Sequence, residues 1–261
     1  MTLKVLLAFL LILVTPSYVS ADPVPTEDSL SRSIFRAKTG PRGDMRWVEC
    51  RRTLRGAAAA GRAHEYAQYL MEEYQKDPEF LPWTAAAMIA QESSFDRCAI
   101  SNNHRRLIDT GFIARFGRTP VESDLVRILR SSRLRSFLGV GALDAGLAQF
   151  RWPGTEATRS GVTDPAGLLD ARTSIRMLAL AMKRYRGACA DNDEFSGRHT
   201  TRSGRSIRYR VACSDSSWVS HNTGGGWFNY RYYYNVKSWY TRLTGPFSES
   251  GTIEVYDGRR N

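Results

Sequence analysis

The chain has 261 residues, of which 42% are hydrophobic and 24% charged, and a formal net charge of +11. A disordered chain would hold fewer apolar residues, and a collagen-like chain far more glycine than the 21 present. Twelve Tyr, eleven Phe and six Trp can fill a core, and the length allows one or two domains.

Lys4 precedes an apolar run from Val5 to Val14, and the stretch ends in Val19-Ser-Ala21. A basic start, a short apolar segment and small residues at −3 and −1 form a secretory signal peptide over 1–21, with cleavage expected after Ala21. The run is too short to span a bilayer, which takes about 20 residues. This leader holds one Lys and no acid, so the mature chain carries +10. A periplasmic or secreted protein is expected, with no membrane span after cleavage. Export also disfavours nucleic acid as the partner of the positive charge and redirects it toward anionic envelope polymers.

Residues 22–45 are rich in Pro, Ser and charge and read as an exposed lead-in; a single domain is expected over 46–261. The alanine-rich stretch Ala57 to Lys76 places Tyr66, Leu70, Glu73 and Tyr74 at helical spacing. The helix from Leu81 to Phe95 has Pro82 in its first turn and an inward stripe of Ala85, Met88 and Ile89. Thr119-Pro-Val-Glu122 reads as a capping box opening a helix over 120–131. Asp170 is placed to cap a helix carrying Ile175, Leu178, Met182 and Tyr185 that stops near Gly187. Strand patterns are scarce, Ile207 to Val211 being a weak exception, so the fold class expected is mostly α, with few or no strands.

Cys50, Cys98, Cys189 and Cys213 are an even set in an oxidising compartment, and two disulfides are expected. Three pairings exist; Cys189–Cys213, closing a local loop, and Cys50–Cys98, tying the N-terminal segment to a later helix, are preferred. His64, His104, His199 and His221 lack ligand spacing, so no metal is expected. Five arginines lie between Arg198 and Arg210, in the loop that Cys189–Cys213 would close.

Glu92 and Phe95 continue the stripe of the 81–95 helix, so a carboxylate extends an apolar face where the helix ends. A carboxyl there loses hydration and stays protonated near neutrality, as a general acid must; the alternative is a side chain curled out at a frayed end. Gly141-Ala-Leu-Asp-Ala-Gly-Leu-Ala-Gln-Phe150 and Ser220-His-Asn-Thr-Gly-Gly-Gly226 each offer small residues for close backbone approach, with an amide side chain nearby. Neither is a phosphate loop. Trp227 to Tyr240 contains eight aromatics in fourteen residues, fit either to line a glycan groove or to fill a core. About half are expected in the core, and Trp227 is the best placed for a sugar.

In this order, Glu92-Ser-Ser-Phe95, Ser101, Gly141-Ala142, Gly146-Leu-Ala-Gln149 with Pro153 and Thr155, Asp164-Pro through Asp170, and Asn222 with its glycines resemble the soluble lytic transglycosylases, relatives of goose-type lysozymes. The resemblance covers roughly residues 80–243. It implies a lysozyme-like α-helical domain with a cleft, acting as a monomer on peptidoglycan glycan strands, with no cofactor and with a cell-envelope assembly as a further partner to consider. Glu92 would be the single acid/base that cleaves the bond between N-acetylmuramic acid and N-acetylglucosamine and leaves a 1,6-anhydro sugar. Ser93, Ser101, Gly146, Gln149, His221, Asn222 and Trp227 would hold substrate. The chain departs from the family pattern in an insertion near 102–138, in His221 where Tyr is common, and in Ala148 where Met is common. A hydrolytic goose-type muramidase would need a second carboxylate, for which Asp109 and Asp144 are available; a peptidoglycan-binding envelope protein without turnover is the third reading.

Overall fold

The computed structural model describes residues 23–40, 45–189, 193–201, 204–223 and 228–245; the leader 1–21, the glycines 224–226 and Trp227 lie outside them. Helices dominate. In chain order they are α1 (Glu27–Thr39), α2 (Gly56–Lys76), α3 (Pro82–Ser93), α4 (Asn102–Phe116), α5 (Glu122–Arg130), α6 (Ser132–Phe137), α7 (Thr155–Arg159), α8 (Ala171–Gly187), α9 (Cys213–Ser216) and α10 (Tyr230–Thr244). Two 3₁₀ turns, Pro165–Leu169 and Ser217–Thr223, connect them. The mostly α expectation holds. Strands are confined to three antiparallel hairpins: β1 (Trp47–Glu49) with β2 (Arg52–Leu54), β3 (Leu143–Ala145) with β4 (Phe150–Trp152), and β5 (Glu194–Thr200) with β6 (Ser206–Ala212).

The central helix is α3. Every residue from Pro82 to Ala90 is buried, so the helix is apolar all round rather than on the single stripe of the sequence reading. Its three consecutive alanines explain this: small side chains let neighbours pack closely on every side, and α10 and α2 do so. The helix stops because Ser94 turns left-handed (φ 50°, ψ 40°) and Phe95 follows it at φ 58°, burying its ring beside Tyr66. Glu92 is thereby fixed in the last turn of α3.

Three expectations need correction. The segment read as an exposed lead-in contains α1, whose Leu30 and Ile34 are fully buried against α2 and α10. The Thr26 side chain caps it and Glu27 and Asp28 suit its positive end, so a polar composition concealed an amphipathic turn. The helix of the insertion starts at Glu122, with Val121 at the cap rather than Thr119. Asp124 makes that boundary by accepting from the Val121 N–H at 2.9 Å while pairing with Arg118. The arginine segment, in turn, is the ordered β5–β6 hairpin.

Both preferred disulfides are present, Cys50–Cys98 and Cys189–Cys213. Cys50 and Arg51 form a two-residue β1–β2 turn with φ of 47° and 65°, a conformation glycine or asparagine usually supplies. Asp96 steadies it by accepting from the N–H groups of both Cys50 and Cys98. Next to it, buried Glu49 accepts from the Tyr66 hydroxyl and pairs with Arg62 at 2.8 Å. Among the described residues, no helix is long and apolar enough to cross a membrane.

Candidate active site

Four elements converge on Glu92. It comes from the end of α3, His221 from the 3₁₀ turn 217–223, Tyr232 from the first turn of α10 and Asp144 from β3. Burial pushes the Glu92 carboxyl above the ordinary range. The charge of His221 and the Tyr232 hydroxyl pull it back, Asp144 adds to the rise, and burial prevails. A half-buried acid with a raised pKa keeps its proton to higher pH than a free carboxyl and can give it up to a bound group.

His221 is held in one orientation. Its Nε2 lies 2.7 Å from the Ala148 carbonyl, which can only accept, so Nε2 carries the hydrogen. The ring stands edge-on against Phe150, with centroids 5.1 Å apart. Nδ1 is buried with no partner among the described residues. The Tyr232 hydroxyl is also buried, and it faces Glu92 without reaching strict hydrogen-bond geometry to any described group. Burial and the Glu92 charge raise its pKa far above the usual phenol, so it remains a neutral donor. Tyr185 of α8 lies close by, its hydroxyl likewise buried and unpartnered. Buried polar groups in native proteins are usually satisfied, so the two such atoms beside Glu92, on His221 and Tyr232, describe a place built for polar company.

The β3–β4 turn builds the facing wall. Gly146, at φ 84°, donates its N–H to Ala99, and a Cβ there would lie 2.0 Å from the Leu168 carbonyl oxygen. Gln149, also left-handed at φ 53°, donates its amide hydrogens to the Ala99 and Gly146 carbonyls at 3.0 and 2.8 Å. The turn therefore presents Ala148 to His221 at a fixed height.

The sequence-derived residues are distributed unevenly around this point. Glu92 and His221 come together, and Asp144 joins them. Ser93 is buried and returns its hydroxyl to the Ile89 carbonyl at 3.0 Å, within its own helix. Ser101 precedes α4; its hydroxyl meets His104 Nδ1 at 2.9 Å, while its N–H donates to the Asp144 carbonyl, bracing β3. Gly146 and Gln149 shape the turn. Asn222 is exposed and accepts from Asn229, the cap residue of α10. Trp227 falls outside the described residues. Asp109, the other acid considered as a second carboxylate, is engaged away from Glu92, paired with Arg51 at 2.5 Å.

Tyr232 and Tyr185 are additions. Tyr232 was hidden in an aromatic run whose core and groove members look alike. The signal was present: Tyr232, Tyr233, Val236, Tyr240 and Leu243 form a helical inward stripe that starts at the Asn229 cap. The sulfurs of Cys50 and Cys98 lie with the Glu122 carboxylate inside 4.8 Å of one another, but the two sulfurs are bonded and offer no thiolate. Comparison of the chain with family models, with curated proteins and with solved structures finds no match.

Proposed function

We propose that the protein is a peptidoglycan lytic transglycosylase acting outside the cytoplasm, with Glu92 as its acid and then its base. The observation that supports this reading is one carboxyl in the last turn of a core helix, its pKa raised by burial, with His221 and Tyr232 brought beside it from other elements. The ordered motifs from Glu92 to Asn222 support the same reading.

In this mechanism Glu92 gives its proton to the glycosidic oxygen as the bond from C1 to that oxygen breaks. Positive charge builds on the ring of the muramic sugar. The substrate's own C6 hydroxyl attacks C1, closing the 1,6-anhydro ring, and its proton returns to the Glu92 carboxylate. No water is consumed and the acid is restored. Tyr232, a neutral donor, steadies the carboxylate in the interval, and His221 Nδ1 offers a polar contact to a substrate group.

Mass spectrometry of fragments released from purified sacculi tests the proposal. The wild type should yield anhydro ends, and Glu92→Gln should turn over about 10²–10⁴-fold more slowly, the usual contribution of a positioned acid or base. Binding of sacculi without release of fragments would support the non-catalytic reading instead.

One observation favours a hydrolytic alternative. Asp144 is near enough for its charge to raise the Glu92 pKa, so it could direct a water as the second carboxylate of a muramidase. Exclusively reducing ends, lost in Asp144→Asn, would establish that reaction.

A further inference from the structure

The β5–β6 hairpin has two unlike faces. On one, Phe195, His199 and Tyr209 stack with Phe228 and Tyr230, the ring centroids 4.9–5.2 Å apart in each stacked pair. Gly197 leaves room for the Tyr209 ring, since a Cβ there would lie 2.5 Å from the Tyr209 hydroxyl. This face is glued to the start of α10, whose cap Asn229 holds Asn222 and whose Tyr232 faces Glu92. The hairpin is therefore anchored beside the candidate active site.

The opposite face carries exposed Glu194, Ser196, Arg198, Arg208 and Arg210. Register places Arg198 directly across from Arg208, and Ser196 across from Arg210. Like charges opposite one another, about 5 Å apart at Cβ, destabilise a two-stranded sheet. Arg210 pairs with Glu194, but neither Arg198 nor Arg208 has a carboxylate partner among the described residues. Arg210 follows Arg208 on the same face about 7 Å along the strand. A hairpin pinned by a disulfide at its base and by stacked rings on its back thus presents a small array of guanidiniums outward. Each guanidinium is a planar fork matched to a carboxylate.

We propose that this face docks an acidic peptide, namely the carboxylate-bearing stems that branch from the muramic sugars of the glycan strand. The proposal rests on the peptidoglycan reading of the Glu92 site. A strand lying at Glu92 would carry its stems past the neighbouring surface, and the arginines would select strands that still bear them.

The test measures binding of full-length mature protein carrying Glu92→Gln to two probes, solubilised glycan strands with intact stems and the same strands stripped of stems by an amidase. Stem-bearing strands should bind about three- to tenfold more tightly, the range for two exposed ion pairs, and 0.5 M NaCl should erase the difference. Arg198→Ser/Arg208→Ser should also erase it, whereas Arg198→Lys/Arg208→Lys should keep most of it. Equal binding of the two probes, or a preference that survives in the serine variant, overturns the proposal. Tighter binding to phosphatidylglycerol vesicles than to stem-bearing strands, lost in the serine variant, overturns it in favour of a lipid surface. Wild-type turnover of the same strands separates the two readings. Anhydro products without stem preference remove only the docking surface; stem preference without products removes only the enzyme.

Discussion

Replacing Gly146 with alanine isolates how the wall opposite Glu92 is built. Two costs add at this position. An L-residue at φ 84° is held in left-handed backbone, about 1–2 kcal/mol. The new Cβ would also lie 2.0 Å from the Leu168 oxygen and 3.3 Å from Ser174 Oγ, and the first of these is backbone that cannot rotate aside. Relief requires the β3–β4 turn to move off the 3₁₀ turn 165–169, an overpacking cost of about 1–3 kcal/mol. The sum is about 2–5 kcal/mol. Denaturant unfolding at constant slope measures it. Gly161→Ala is the control, since Gly161 has φ 76° with open space around its Cβ and carries only the first cost. Movement of the turn also displaces Ala148 from His221 and Asp144 from Glu92, so turnover should fall in Gly146→Ala and persist in Gly161→Ala. If the two variants lose equal stability, the contact with Leu168 is not what demands glycine, and the account of this wall fails.

Glu92→Gln should be more stable than the wild type at neutral and alkaline pH. Because burial raises the folded pKa, the native state holds its proton more tightly than the unfolded chain; wild-type stability is greatest below the unfolded pKa and falls as pH rises through the folded one. The glutamine variant lacks that fall, and parallel stability curves from pH 4 to 8 would contradict the assignment of burial as the main cause. Removing the charge of His221 with His221→Phe should shift the alkaline limb of turnover upward, because that charge lowers the Glu92 pKa, while Asp144→Asn should shift it downward; a pH–rate series checks both signs. His221→Phe should also cost about 1–3 kcal/mol in denaturant by leaving the Ala148 carbonyl without its donor. Loss of Cys50–Cys98, which closes a loop with a sequence separation of 48, should cost about 4 kcal/mol, and loss of Cys189–Cys213, with a separation of 24, slightly less, read from unfolding of the paired Ser variants.

What was legible in the chain follows from how local the forces are. Asp170 caps α8 through the Thr173 N–H, and Pro82 opens α3, because capping and proline geometry act within one turn. The position of Glu92 was legible for the same reason: a helical period needs only the residues that show it. The start of α5 was misplaced by the same kind of argument, since Thr119-Pro120 and Asp124 offer competing caps and the ion pair of Asp124 with Arg118 decides between them. Polarity misled at α1, where buried Leu30 and Ile34, with Phe35 and Ala37 packed beside them, dock a helix rich in charged and polar residues. The surroundings of Glu92 were the hardest to read. Each of its neighbours comes from a different element, and none of those elements shows locally which of its polar groups faces the acid. A stripe that makes α10 helical accounts equally for Tyr232, Tyr233 and Tyr240; only the packing of α10 on α3 turns the first of them toward the carboxyl. Period alone could therefore place Glu92 in the last turn of α3, while the groups around its carboxyl required the assembled fold.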